Sequence, residues 1–223
     1  CTALYIASEN NHVDVVQLLL SKSNIDINKV EDNGATALCI ASQKGHVETV
    51  RLLLSKSEIE INKADDDRCT ALFVASQNNH IEVVKLLLQR NDIDVNLAML
   101  NGATPLIIGT YLGHFDVIQE LITIKNDDLD FSLTFDNKTA AQYAADPGNA
   151  KVESWAFLDD KIDLDGRHNC LTLLNEYTNS ASLSHVSAGE TKSYEGVSDQ
   201  EFQKVLNACG KGQMKKLKQF LKK

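Results

Sequence analysis

A repeat of fixed length dominates this sequence and restricts the folds that it can adopt. Four segments superimpose without gaps at an offset of 34 residues, and each carries a threonine and a histidine at fixed places. These residues are Thr2, Thr36, Thr70 and Thr104, and His12, His46, His80 and His114. A period of roughly 20 to 50 residues is typical of stacked repeats, in which each unit buries its apolar face only against its neighbours. The sequence therefore predicts a stacked repeat array.

Signals for the start and the end of a helix recur in every unit. Thr36 stands where an N-cap is needed, because its hydroxyl can accept a hydrogen bond from an amide of the first turn. Pro105 takes the first helical position of the fourth unit, where a missing N–H costs nothing. The residue before each histidine is Asn or Gly, the two types that best tolerate the left-handed conformation after a helix. The pattern predicts a short first helix in each unit.

A second helix and a turn complete the unit. Val47, Val50, Leu53 and Leu54 recur at helical spacing, and the same positions are apolar in the other units. A small residue recurs in the first helix, at Ala7, Ala41, Ala75 and Gly109, and suits the close approach of the second helix. The dipeptides Asn33-Gly34 and Asn101-Gly102 favour tight turns. We therefore expect antiparallel helix pairs joined by hairpin-like fingers.

These residues resemble the ankyrin repeat, whose opening T-P-L-H-x-A is matched as TALYIA, TALCIA, TALFVA and TPLIIG. The family's Gly-His between the helices is present as NH or GH. The histidine of the family's opening is replaced by Tyr5, Cys39, Phe73 and Ile107, and the unit is one residue longer than the family's usual 33. The resemblance implies an all-α solenoid that acts as a non-catalytic scaffold or adaptor for partner proteins.

The repeat pattern also divides the chain. Residues 1–160 are predicted to form the array, with four clear repeats and a degenerate fifth that can act as a cap. Residues 161–197 lose the period and are rich in serine toward their end, which predicts an irregular segment or linker. Residues 198–223 return to the pattern of helix, small-residue pair, Gly and helix, and are predicted to start a further ankyrin-like repeat. The chain is interpreted as a fragment of a larger one.

Composition limits the compartment and the partners. The five cysteines lie 30 or more residues apart without a Cys-x-x-Cys pair, which favours a reduced, intracellular and cytoplasmic setting. No apolar run approaches the length of a membrane span. The formal charge is −9, and it is uneven because residues 198–223 carry seven Lys against Asp199 and Glu201. The remaining body is strongly acidic, so no nucleic-acid partner is expected.

Candidate reactive and metal-binding groups have simpler structural explanations. Stacked units hold equivalent histidines roughly 10 Å apart, too far for ligands that must reach one zinc ion at about 2.1 Å. Cys39 with His46 could be drawn as a nucleophile and its base, but a core cysteine and a repeated structural histidine explain both. A calcium-like stretch fails because Lys161 and Thr172 occupy its first and last positions. No enzyme activity, metal, cofactor or small-molecule substrate is expected.

The resemblance implies that partners bind to the finger tips and to the exposed end of each first helix. The matching positions in the second and third units are polar or acidic, and those of the fourth and fifth are largely apolar. The candidates are Asp32, Asn33, Gln43, Lys44, Asp66, Asp67, Gln77, Asn78, Met99, Leu100, Asn101, Tyr111, Leu112 and Phe135. An acidic groove with an apolar end suits a basic peptide or helix with a hydrophobic anchor.

Two features of this surface stay open from the sequence. The apolar finger around Leu97, Met99 and Leu100 either recognises a partner or packs against the fifth unit. Asn28, Asn62 and Asn96 follow an acidic and an aliphatic residue, a pattern similar to ankyrin asparagines that are hydroxylated; the alternative is an asparagine that bonds the finger backbone.

A rival function belongs to a different class. The repeats can serve as the targeting module of a larger enzyme, of kinase or ubiquitin-transfer type, whose catalytic domain lies outside this sequence. A host-directed bacterial effector is a third reading that no residue selects. The identity of a partner is set by surface residues that differ between arrays.

Overall fold

A computed structural model describes residues 1–125, 127–145 and 163–184 of the chain. Four helix pairs follow one another at the predicted period. The elements are α1 Ala3–Glu9, α2 Val13–Leu20, α3 Ala37–Lys44, α4 Val47–Leu54, α5 Ala71–Gln77, α6 Ile81–Leu88, α7 Pro105–Leu112, α8 Phe115–Lys125, β1 Thr134–Phe135, β2 Lys138–Thr139, α9 Ala140–Ala145 and α10 Leu164–Ser184. This order confirms the all-α ankyrin-type solenoid, with one short antiparallel hairpin added.

The helices form two layers, as the period requires. First helices pack in the order α1, α3, α5, α7 and α9, and second helices pack in the order α2, α4, α6 and α8. Each helix also contacts the other member of its own pair. The core lies between the layers and continues from one unit to the next, so that every unit is stabilised by its neighbours.

The local signals act as the sequence predicts. The hydroxyl oxygens of Thr2, Thr36, Thr70 and Thr104 each accept a hydrogen bond from the amide three residues later. The residue before each histidine has a positive φ, between 55° and 82°, at Asn11, Gly45, Asn79 and Gly113. A Cβ at Gly109 would lie only 2.8 Å from Cδ1 of Ile118, which explains the small residue at this helix contact.

Helix α10 corrects part of the sequence prediction. Leu164–Ser184 is a helix of 21 residues inside the segment that the sequence predicts to be irregular. Its side chains Arg167, Cys170 and Leu174 are almost completely buried, and their spacing of three and four residues puts them on one face. The predicted further repeat at 198–223 and the second half of the fifth unit lie outside the described residues, so the domain boundaries stay predictions.

Residues Cys1–Ala181 form one compact unit. Within the described part of the chain, none of the helices combines the length and the apolar character that crossing a membrane requires.

Candidate partner-binding surface

Three fingers project between successive helix pairs, and their backbones have the same design. In each, an amide at the base donates to a carbonyl four residues on: Glu31 to Ala35, Asp65 to Cys69, and Met99 to Ala103, at 3.0 to 3.1 Å. The residue that closes the turn has a positive φ, and it is Gly34, Arg68 or Gly102. The two Asn-Gly dipeptides thus mark the turns that the sequence predicts.

Backbone hydrogen bonds join the finger tips to one another. The amide of Asp66 donates to the carbonyl of Asn33, and the amide of Leu100 donates to the carbonyl of Asp67, both at 3.0 Å. These bonds hold three tips in one row, one tip for each unit. The predicted contact residues Asp32, Asn33, Asp66, Asp67 and Asn101 are all exposed along it.

The middle finger carries the densest negative charge. The Oδ1 atom of Asp65 accepts hydrogen bonds from the amides of Asp67 and Cys69, at 3.1 and 2.8 Å, and this carboxylate therefore fixes the turn. Burial raises the pKa of Asp65, and the nearby carboxylates of Asp66 and Asp67 add to the effect. Among the residues that the structure describes, Asp32, Asp66 and Asp67 take part in no ion pair.

The ends of the first helices, the second part of the candidate surface, differ in exposure between the second and third units. Gln43 and Lys44, at the end of α3, are exposed, whereas Gln77 and Asn78, at the end of α5, are half-buried. The side-chain amide of Asn78 donates to the carbonyl of Val74 at 2.8 Å and so closes its own helix. The second and third units therefore present polar groups to solvent at these positions.

The predicted apolar recognition patch is wrong for three of its members. Tyr111 and Leu112 are completely buried, and Phe135 is 5% exposed. Tyr111 makes an edge contact with Tyr143 of α9, with ring centroids 5.8 Å apart. The guanidinium carbon of Arg167 lies 4.5 Å from the centroid of the Tyr111 ring. The fifth unit and α10 cover these side chains, so they pack internally and offer no surface to a partner.

The remainder of that finger is only partly covered. Leu100 is 67% exposed at the tip, while Leu97 and Met99 are half-buried. The apolar end of the candidate surface is therefore centred on Leu100, and it is smaller than the sequence predicts.

The three asparagines considered for hydroxylation form a ladder between units. Asn28 donates its amide to the carbonyl of Glu58 at 2.7 Å and accepts from the amide of Glu60 at 2.9 Å. Asn62 bonds Asp92 and Asp94 in the same way, and Asn96 bonds Asp128 and Asp130. These bonds account for the recurrence of the asparagine. Hydroxylation of Asn28, Asn62 or Asn96 stays a prediction.

The repeated histidines form a second ladder. One ring nitrogen of His46, His80 and His114 donates to the carbonyl of Glu9, Gln43 and Ser76 respectively, each at 2.9 Å. Every ring thus ties its unit to the preceding one, which is the structural role favoured by the sequence. In the described residues no group of three His, Cys, Asp or Glu side chains is placed to hold a metal ion.

Sequence reasoning missed one exposed surface, on the first unit. Ile6, Val15 and Leu18 are 46%, 45% and 59% exposed, although the equivalent residues of later units are buried or half-buried. The equivalent positions of the other units are mostly apolar too, so the sequence pattern carries no signal that separates these three residues from their more deeply buried equivalents.

Two comparisons with known proteins bear on this architecture. The sequence model described as ankyrin repeats (3 copies) matches residues 4–99 and 57–134, which together span more than half of the chain. No curated protein is similar enough to this chain to count as a match.

Proposed function

This chain belongs to the ankyrin repeat family, and from that premise we propose that it is a non-catalytic scaffold or adaptor. Ankyrin repeats are generally protein–protein interaction modules and are typically non-catalytic. In this proposal the partner is a protein that contacts the finger tips and the exposed ends of the first helices.

The observation that carries the proposal is the row of carboxylates on the fingers. Asp32, Asp66 and Asp67 are exposed, and the backbone bonds between tips hold them at fixed separations. Because negative side chains in a fixed row attract a positively charged partner and orient it, we infer that the partner is basic.

Leu100 supplies the apolar contribution to the same surface. It lies beyond Asp67 along the row of tips, since its amide bonds the carbonyl of Asp67, and its side chain is 67% exposed. A basic segment that carries one large apolar side chain would match both the charge and this apolar point. We expect Leu100 to contact that anchor.

A rival from another class is the targeting module of a larger enzyme. Such a module would use the same surface, because recruitment of an enzyme also requires binding of a partner. The two functions differ in what the parent polypeptide carries outside these residues, and the full open reading frame would distinguish them.

The proposal can be tested with a library of random peptides displayed on phage and selected on the full chain. We expect enrichment of peptides that combine Lys or Arg with one large apolar residue. A triple change, Asp32→Asn, Asp66→Asn and Asp67→Asn, should weaken the selected peptides about tenfold, since each exposed charge pair contributes about 0.5 kcal/mol.

A matched control removes the same charge elsewhere. Asp14, Asp116 and Asp127 are exposed outside the fingers, and their replacement by Asn removes the same three negative charges. We expect the control to retain most of the affinity. Selection of acidic or neutral peptides, or equal weakening by both triple changes, would contradict the proposed basic partner.

A further inference from the structure

A cleft of about 270 Å³ opens between the ends of two second helices, α4 and α6. The side chains that line it are Arg51, Leu54, Ser55, Leu86, Gln89 and Arg90. Its charge is opposite to that of the fingers, because the lining includes two arginines and no carboxylate. In a chain with a formal charge of −9, this recess offers two guanidinium groups to an anion.

The end of the preceding second helix holds Arg90 in place. Its Nη1 atom donates to the carbonyl of Leu54 at 3.1 Å, while Nε and Nη2 donate to the two carboxylate oxygens of Asp92 at 2.9 and 2.8 Å. A guanidinium has five N–H hydrogens, so these bonds within the described residues use three and leave two for a further acceptor. The carbonyl of Leu54 belongs to the peptide bond that joins it to Ser55, and the guanidinium therefore lies beside that serine.

Arg51 reaches the same cleft from α4. It precedes Ser55 by four residues, and side chains at this spacing on a helix are neighbours. Its Nε atom is 3.5 Å from Oε1 of Glu48, and both side chains are more than half exposed, so this ion pair is weak. Ser55 is exposed at the C-cap of α4 and donates its hydroxyl to the carbonyl of Leu52 at 2.7 Å.

We propose that Ser55 is a phosphorylation site and that Arg51 and Arg90 hold the phosphoryl group between them. Transfer of the γ-phosphoryl group of a nucleoside triphosphate to Oγ forms one O–P bond, breaks the bond to the nucleoside diphosphate and releases the hydroxyl proton. The product has three strong acceptor oxygens and more negative charge than a carboxylate, so we expect it to displace Glu48 from Arg51. Since the two arginines belong to the second and third units, the phosphoryl group links these units.

The first unit has a matched serine without the arginines. Ser21 is also exposed, follows α2 directly and donates its hydroxyl to the carbonyl three residues earlier, at 2.7 Å. Gln17 and Lys56 take the places of the two arginines. A phosphoryl group at either serine meets the negative end of a helix dipole, and of the two serines only Ser55 has an arginine pair to offset it.

Phosphoserine encoded genetically at position 55 or at position 21 of the full chain tests the arginine pair. The ³¹P NMR signal followed over pH gives the second pKa of the phosphate, which is about 6 in an exposed phosphoserine. Nearby cations favour the dianion, so we expect this pKa to be lower by about 1 at position 55 than at position 21. Arg51→Gln with Arg90→Lys copies the first unit and should remove most of the difference. Circular dichroism of each protein verifies that the array is folded.

A second experiment measures whether the hydroxyl is a substrate. A panel of purified serine kinases acts on the folded full chain and, as a positive control, on a peptide of residues 47–60, and mass spectrometry maps the phosphate. The two serines differ in flanking charge, because Arg51 and Glu58 replace neutral residues of the first unit. Kinases select substrates partly by such charge patterns, so we expect about tenfold more phosphate on Ser55 than on Ser21.

Three outcomes would overturn the proposal. One is an equal phosphate pKa at positions 55 and 21. Another is a low pKa at position 55 that persists in the Arg51→Gln, Arg90→Lys variant, because other groups would then be its cause. The third is the absence of phosphate on Ser55 of the folded chain, whether or not the kinases modify the peptide.

Discussion

The two ends of the described array differ in how far the side chains of their outermost helices are exposed to solvent. At the first unit, Ile6, Val15 and Leu18 are open to solvent. At the fourth unit, Tyr111 and Leu112 are completely buried under residues that do not follow the repeat pattern closely. The equivalents of Tyr111 in the first three units are Glu9, Gln43 and Gln77. Helix α7 therefore carries an aromatic residue at a position where α1, α3 and α5 carry a polar one.

The covered end is built from aromatic and cationic contacts. Tyr143 stacks on Phe135 with centroids 6.1 Å apart and donates its hydroxyl to the Phe135 carbonyl at 2.9 Å. Arg167 lies over the ring of Tyr111 and also donates to the Tyr111 carbonyl. The amide of Asp163 donates to the carbonyl of Leu112 at 2.8 Å, which satisfies the end of α7. Helix α9 thus continues the layer of first helices, and Asp163 and Arg167 add further contacts to the end of α7.

The largest difference between the ends should be in thiol reactivity. Burial raises the pKa of Cys170 to about 12 and that of Cys69 to about 12, whereas Cys1 is exposed. At pH 7.5 the thiolate fraction of Cys170 and Cys69 is then about a thousandfold below that of an ordinary thiol with a pKa of about 8.5. Among the four cysteines that the structure describes, we expect iodoacetamide to modify Cys1 first, as measured by mass spectrometry of peptides over time. Modification of Cys170 as fast as Cys1 would show that the covered end opens readily.

The next largest effect should come from removal of the aromatic side chain at the covered end. Tyr111→Ala deletes a fully buried ring that contacts Tyr143 and Arg167, and we expect a loss of about 3 to 5 kcal/mol in the free energy of unfolding. Urea denaturation followed by circular dichroism measures it. Glu9→Ala at the equivalent position of the first unit should change stability by less than about 0.5 kcal/mol. Similar losses in the two variants would remove the contrast between the ends.

A smaller effect separates the first unit from an inner one at the same position. Val83→Ala leaves a cavity in a completely buried site and should cost about 2 kcal/mol, whereas Val15→Ala should cost less than about 1 kcal/mol because Val15 is 45% exposed. Both values come from the same urea titration. Equal costs would contradict the exposure of Val15 and remove the contrast between the first unit and an inner one.

Local features of the fold could be predicted because they depend on neighbouring residues in the chain. The threonine caps and the left-handed Asn and Gly residues need only a few adjacent atoms to be recognised, and their recurrence every 34 residues excludes chance. The finger turns follow from Asn33-Gly34 and Asn101-Gly102 by the same kind of rule. The family assignment and the solenoid rest on these features.

Exposure could not be predicted in this way, because it depends on what packs against a residue from elsewhere. Tyr111 and Phe135 occupy positions that face solvent in a regular array, and α9 and α10 bury them. Helix α10 does carry a usable signal, since Arg167, Cys170 and Leu174 have helical spacing. A buried arginine on that face is unusual, and a search for apolar residues alone does not recognise it.

The asparagine ladder has a mechanical consequence. Asn28, Asn62 and Asn96 each cross one boundary between units, and all three make the same pair of bonds to the loop that follows the second helix of the next unit. A force that pulls the first and last units apart therefore loads these joints in series. The boundary with the fewest supporting contacts yields first, and each release frees one unit of 34 residues, or roughly 115 Å of extended chain. The array would therefore lengthen in steps of equal size, one step for each unit that unfolds.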